Sequence, residues 1–216
     1  LAMEANTTGG ANVGIGSGAL GDNTTSNYNT AVGTLALTAN TTGTGNSALG
    51  TFALDKTTTG SFNTAFGYAA LTQQTATGSV YNTAMGYNAG AAVTTGTRNT
   101  IIGGLAGDAL TDADYNIAMG YQALSSDTLG SRSTALGYQS LATQNFTSAT
   151  DTYNTAVGFL AGNAVTTGVQ NTFIGGLSGD ANTTAHNNTA VGYQSLGANT
   201  TGASNVALGA YALDAN

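Results

Sequence analysis

The chain has no cysteine and no proline, and only one histidine and three basic side chains, in 216 residues. Without cysteine there is no disulfide framework, and the redox compartment leaves no trace in the sequence. Lys56, Arg98 and Arg132 stand against ten acidic residues, for a net charge of −7. Nucleic-acid binding needs a basic stripe to neutralise phosphates, which this chain cannot supply. No apolar run approaches the roughly 20 residues of a membrane span, so no membrane insertion is expected. No secretory leader is recognisable at the amino end. Charged residues make up only 6%, which argues against charge-driven disorder, and 32 glycines without a three-residue period exclude collagen.

The same scarcity weighs against catalysis. His186 is the only imidazole and Glu4 the only glutamate. A Ser or Thr nucleophile needs a neighbouring base and an orienting partner. Asp112 and Asp114, the closest acidic pair, read as a solvated turn rather than an acid–base couple. No enzymatic activity and no cofactor are expected.

What is abundant is periodicity. Gly16, Gly33, Gly50, Gly67, Gly86, Gly103, Gly120, Gly137, Gly158, Gly175, Gly192 and Gly209 follow one another at 17 residues, except for one interval of 19 and one of 21. A short tandem period of this kind marks a solenoid. The copy Asn188–Ser204 defines the coil, with Asn188 as position one. Coils then start near residues 12, 29, 46, 63, 82, 99, 116, 133, 154, 171, 188 and 205. Position four is always large and apolar: Ile15, Val32, Leu49, Phe66, Met85, Ile102, Met119, Leu136, Val157, Ile174, Val191 and Leu208. Position eight is Ala or Ser. Position nine is Leu in eight coils and Gly in four (Gly90, Gly107, Gly162, Gly179).

These columns predict an all-β chain, a parallel β-solenoid of about twelve coils forming one repeat array over residues 1–216. The T-A-V-G stem fits one strand per coil with a bend after it. N-T-T-G runs at Asn6, Asn40 and Asn199, with Gly60, Gly96, Gly130 and Gly168 at position fifteen, read as corners where Asn and Gly accept left-handed backbone. At the strand spacing of about 4.8 Å, twelve coils span on the order of 55–60 Å. The two long coils carry their extra residues between Leu71 and Asn82 and between Leu141 and Asn154, where they should bulge outward. The coils from Asn82 and from Asn154 match as a duplicated block, with G-G-L-x-G-D at Gly103 and Gly175. Residues three and four point to opposite faces of a strand, and both are apolar. The expectation is that the bulky position four forms the core column while the small position three abuts a partner chain. Both termini fall in register, without atypical capping repeats, as in an excerpt of a longer fibre.

Here the stem S/N-T-A-[V/I/L/M]-G-x-x-A resembles the head domain of YadA-type trimeric autotransporter adhesins. N-T-A-V-G-Y-Q-[S/A]-L with N-T-T-G corners resembles the repeat shafts of phage tail-fibre proteins. The resemblance spans nearly the whole chain. It implies a left-handed β-roll assembled as a homotrimer, extracellular on a virion appendage or cell-surface fibre. The implied function is structural support of host or surface attachment, with a host-surface glycan or receptor as the further partner.

Other readings follow from particular columns. Position six carries Tyr68, Tyr87, Tyr121, Tyr138, Phe159 and Tyr193, and position seventeen carries Tyr28, Phe62, Tyr81, Tyr115 and Tyr153. Stacked coils would align these as a packing ladder or as a glycan-contact stripe. In-phase Thr pairs, such as Thr41-Thr42 and Thr200-Thr201, raise an ice-binding surface, but neighbouring strand residues face opposite ways. A polysaccharide depolymerase would want a carboxylate pair in a groove. The G-G-L-x-G-D motifs resemble a calcium nonapeptide without its tandem period, so no metal is expected. Gly14–Gly18 lies in phase with the repeat and lacks the helix of a nucleotide loop. The N-x-[S/T] sequons at Asn6, Asn23, Asn40, Asn145, Asn182, Asn187 and Asn199 are accounted for by turn chemistry.

Overall fold

In a computed structural model, described for residues 1–215, every coil contributes one three-residue strand to a single parallel sheet. Asn216, the last residue of the expected array, lies outside the described residues. The strands are Val13–Ile15, Thr30–Val32, Ser47–Leu49, Thr64–Phe66, Thr83–Met85, Thr100–Ile102, Ile117–Met119, Thr134–Leu136, Thr155–Val157, Thr172–Ile174, Thr189–Val191 and Val206–Leu208. Each pairs with the next in unbroken register, so Thr30 faces Ser47 and Val32 faces Leu49. No helix occurs among the described residues. The chain is a parallel β-solenoid of about twelve turns.

Hydrogen bonding does not stop at the strands. In the turn half, Leu37 N donates to Ala53 O at 3.0 Å, Ala39 N to Asp55 O at 3.1 Å and Thr41 N to Thr58 O at 2.9 Å. The whole coil is therefore laddered to its neighbours, which is how a segment with so little strand satisfies its backbone. The long coils keep this register: Thr64 pairs with Thr83 and Thr134 with Thr155 across the insertions. Each insertion closes through a short extra pairing, Gly60–Ser61 with Gly78–Ser79 and Gly130–Ser131 with Thr150–Asp151.

The core is not where the stem suggests. Ala31, Ala48, Ala65, Ala84, Ile101, Ala118, Ala135, Ala156, Phe173, Ala190 and Ala207, all at position three, are buried. Of the position-four column, Ile15, Leu49, Phe66, Met85, Met119, Ile174 and Leu208 are exposed, and Val32, Ile102, Leu136, Val157 and Val191 only half-buried. The expected inside and outside are exchanged. The coil is too flat to admit a bulky group opposite position eight. Small residues meet there: Ser178 Oγ donates to the Ala190 carbonyl at 2.9 Å. Leu at position nine fills the wider end, with Leu20, Leu37, Leu54, Leu71, Leu124, Leu141 and Leu196 wholly buried.

The exceptions to the leucine column compensate. Where position nine is glycine in two successive coils, position three between them is large. A Cβ on Gly90 would meet Ile101 Cδ1 at 2.9 Å, and one on Gly162 would meet Phe173 Cδ2 at 2.8 Å. In the first pair Ile101 shares the space of the missing leucines with Val93 and Leu110, and in the second Phe173 fills it against both glycines, keeping the interior close-packed.

The corners also differ from expectation. Left-handed backbone, with φ between 49° and 64°, falls at positions seven, nine and seventeen, on residues such as Leu37, Gln139, Tyr115 and Arg132. The N-T-T-G glycines lie outside the left-handed region. Gly43 is required instead by crowding, since a Cβ there would stand 2.5 Å from Asn40 Oδ1. The glycine at position five needs both freedoms: Gly120 has φ +138°, and its Cβ would lie 2.6 Å from the Gly137 carbonyl carbon.

Two substitutions test this packing. Gly120→Ala should cost on the order of 3 kcal/mol or more through strain and clash, visible as a lower melting temperature by circular dichroism. Phe173→Ala should cost about 3–5 kcal/mol by opening a cavity. Adding Gly162→Leu and Gly179→Leu to Phe173→Ala rebuilds the ordinary coil and should recover most of that loss.

Candidate functional site

Because coils stack in register, any side chain that recurs at one position becomes a file along the solenoid. Four outward files and one buried polar file carry the chemistry of this molecule.

The buried file is asparagine at position one, at the corner entering each strand. Its Oδ1 accepts the backbone N–H of position one in the next coil, as Asn12 does from Asn29 (2.9 Å), Asn46 from Asn63 (2.9 Å) and Asn171 from Asn188 (3.0 Å). Its Nδ2 donates to the position-fifteen carbonyl of its own coil, as Asn29 does to Gly43 (2.9 Å) and Asn116 to Gly130 (2.9 Å). A side chain holding one acceptor and two donors in this geometry is an amide. At Ser133 the file breaks, and Gln144 from the longer coil bridges it, donating to Ser133 Oγ (2.8 Å) and accepting from Asn154 Nδ2 (2.8 Å). In the other long coil the file is unbroken, Asn82 N donating to Asn63 Oδ1 at 3.1 Å, and Gln74 adds to it by accepting from Asn82 Nδ2 at 2.7 Å. Gln stands at position twelve only in these two coils, a signal that sequence reading passed over.

The position-six aromatics are all exposed and form broken runs. Tyr68 stacks on Tyr87 at 5.7 Å, and Tyr121, Tyr138 and Phe159 stack at 5.7 and 5.3 Å. Tyr193 meets Tyr211 edge-on. The runs stop at Gly104 and Gly176, which occupy position six in their coils. Along position seventeen, Phe62 stacks on Tyr81 at 5.2 Å, and the Arg98 and Arg132 guanidiniums lie over the Tyr115 ring at 5.3 and 5.2 Å. Arg132 also pairs with Asp151. Both arginines are thus taken up in a cation–π ladder.

The remaining sequence candidates are engaged in structure. His186 Nδ1 accepts the Val169 N–H at 3.1 Å. Asp112 accepts from Thr95 Oγ1 (2.7 Å), and Asp114 accepts from Thr97 N (2.6 Å) and its hydroxyl (2.9 Å), so this pair caps separate corners. Among the sequons, Asn23, Asn40, Asn182 and Asn199 are buried, whereas Asn6, Asn145 and Asn187 are exposed. Asn182 is enclosed with neither amide atom bonded. Threonines at position thirteen spend their hydroxyls on the next coil, as Thr7 does on the Thr24 carbonyl (2.8 Å) and Thr183 on that of Thr200 (3.0 Å). A shallow groove of about 570 Å³ near the first coil is lined by Ser17, Gly18, Gly21 and Thr38 among others. Small residues at positions six, seven and ten open it.

Three carboxyls titrate abnormally. Burial pushes Asp127 up, against hydrogen bonds from Gln144 Nε2, Phe146 N and Gly130 N. Burial also raises Asp108, and raises Asp180 with added repulsion from Asp214. Among the described residues no group of three or more His, Cys, Asp or Glu is placed to hold a metal ion, and no helix is long and apolar enough to cross a membrane.

Compared with protein-family models, with curated proteins and with solved structures, the chain matches none.

The raised carboxyls set a pH dependence with a definite sign. Each penalises the folded state once ionised, so their contribution is most favourable below the ordinary carboxylate value and is lost as pH rises through the raised one. The melting temperature should therefore climb as pH is lowered from 7 towards 4. Asp108→Asn with Asp180→Asn should flatten that climb; an unchanged slope in a pH series of thermal melts would refute these groups as its source.

Proposed function

We propose that this chain is a structural segment of an extracellular fibre, a phage tail fibre or a bacterial surface adhesin, built from three identical chains and supporting attachment to a host or surface. The observation that carries the proposal is the outward face of the twelve-stranded sheet. Its position-four file keeps large apolar groups at the surface over the full length of the solenoid, with Phe66 49% and Met85 44% exposed. A continuous apolar strip of this extent marks an interaction surface. A straight, regular strip suits a straight, regular partner, and a second and third copy of the same solenoid match it rung for rung. In such an assembly the position-four side chains lie around a common axis within a left-handed roll, as the repeat's resemblance to adhesin heads and tail-fibre shafts implies. The sheet thus carries large apolar groups on its outer face as well as inside, as sheets do when both faces are covered, with the position-two threonines beside them.

The alternatives draw less support. An ice-binding face wants free, regularly ranked hydroxyls, but the position-thirteen threonines bond to backbone, and the position-two threonines of the sheet are interrupted by Val13, Ile117 and Val206 and share their face with the large apolar position-four groups. A saccharide-contact role has a specific observation behind it, the exposed ring stacks at position six, and is compatible with a fibre.

Sedimentation equilibrium of the chain should return three times the monomer mass. Met119→Asp combined with Leu136→Asp should leave the circular dichroism of the coil intact, because neither side chain faces the interior, yet reduce the mass to one chain. A wild-type monomer, or a trimer indifferent to those two charges, would sink the proposal.

A further inference from the structure

Two glycines at position six, Gly104 and Gly176, have no conformational or packing duty. Gly103 and Gly175 carry φ of +132° and +130°, and a Cβ on either would stand 2.6 Å from the carbonyl carbon of the next glycine in the file. Their neighbours Gly104 and Gly176 have ordinary φ, and a Cβ there would make normal contacts, 3.5 Å to Tyr121 and 3.6 Å to Tyr193. A side chain is tolerated at both positions, and six of the other coils place an aromatic ring there. Its omission interrupts the ring stack and opens a notch one coil wide on the surface. Tyr87 and Tyr121 wall the first notch, 58% and 48% exposed, and Phe159 and Tyr193 wall the second, 54% and 47% exposed. Two rungs at strand spacing put the walls about 10 Å apart. Contact distances of roughly 3.5–4.0 Å on each side then leave room for one saturated six-membered ring.

We propose that the two notches are saccharide subsites, each taking one uncharged pyranose of a surface polysaccharide between the aromatic walls. The proposal rests on the attachment reading and names its ligand class. Aromatic walls suit the apolar faces of a sugar ring, and amides at position seven suit its hydroxyls. Beside the first notch Gln122 gives its Oε1 to Gln139 Nε2 at 2.8 Å, which leaves its own NH2 for a ligand, and Asn88 stands on the other side; Gln194 has this place at the second. No basic residue lies in the notch coils, and the chain carries −7 overall, so an anionic sugar or nucleic acid is disfavoured while a neutral one is admitted. The notches recur four coils apart, about 19 Å along the solenoid. A polymer can therefore occupy both, and weak single contacts are multiplied.

The test is nuclear magnetic resonance of the whole chain with its tyrosine and phenylalanine rings labelled, titrated with linear tetrasaccharides of glucose, galactose, mannose and N-acetylglucosamine, and with a hexuronic acid tetrasaccharide. At least one neutral tetrasaccharide should shift the rings of Tyr87, Tyr121, Phe159 and Tyr193 more than that of Tyr138. Gly104→Tyr with Gly176→Phe completes the stack: the melting temperature should hold or rise while affinity falls at least about tenfold. Gly104→Ala with Gly176→Ala keeps the notches open and should bind like the parent chain. Any of the following would overturn the proposal: no neutral tetrasaccharide shifts the four wall rings, the filled variant binds as well as the parent, or the uronate binds as tightly as the neutral sugars. Sedimentation reads assembly separately, so a trimer that binds no sugar removes the notches and leaves the fibre reading intact.

Discussion

An interior only wide enough for Ala at position three to meet Ala or Ser at position eight governs the rest of this molecule. Apart from Ile101 and Phe173, the strand residues larger than Ala are turned outward. That one restriction puts Leu at position nine into the only wide part of the cross-section. It also explains why Ile101 and Phe173 appear only where two successive leucines have become glycine, and it leaves the apolar position-four residues on the surface, where the demand for a partner arises.

Close stacking imposes its own chemistry. Most backbone hydrogen bonds run between adjacent coils, so one irregular corner would disturb its neighbours on both sides. The buried asparagine file holds that corner constant, each amide bonding the backbone of the following coil through its oxygen and that of its own coil through its nitrogen. Where the file breaks at Ser133, the longer amide of Gln144 spans the gap. Left-handed residues at positions seven, nine and seventeen cost roughly 1–2 kcal/mol each for an L-amino acid, and the inter-coil bonds made at those corners offset this. Tyr28 and Arg132 can occupy position seventeen because its side chain faces solvent, where size is unrestricted.

Surface files follow from the same register. A residue type repeated at one outward position becomes a line of like groups at strand spacing, whether aliphatic at four or aromatic at six. Such lines interact along themselves, as the stacked tyrosines do. Function in a molecule of this kind resides in the pattern of a file and in its interruptions.

From the amino-acid order alone came the solenoid, its period, the single strand per coil and the location of both insertions in the turn half. All of these depend on periodicity, and periodicity is a property of the string. The aromatic files were legible for the same reason. The order could not say which apolar column faces inward, because T-A-V presents an apolar residue on each side of the strand and either assignment satisfies alternation. Deciding it required the width of the closed coil, set by residues at positions eight and nine that come from the opposite wall. Nor could it separate the duties of adjacent glycines: Gly103 and Gly104 are identical letters, told apart only by the backbone of the next coil, which crowds one and leaves the other free.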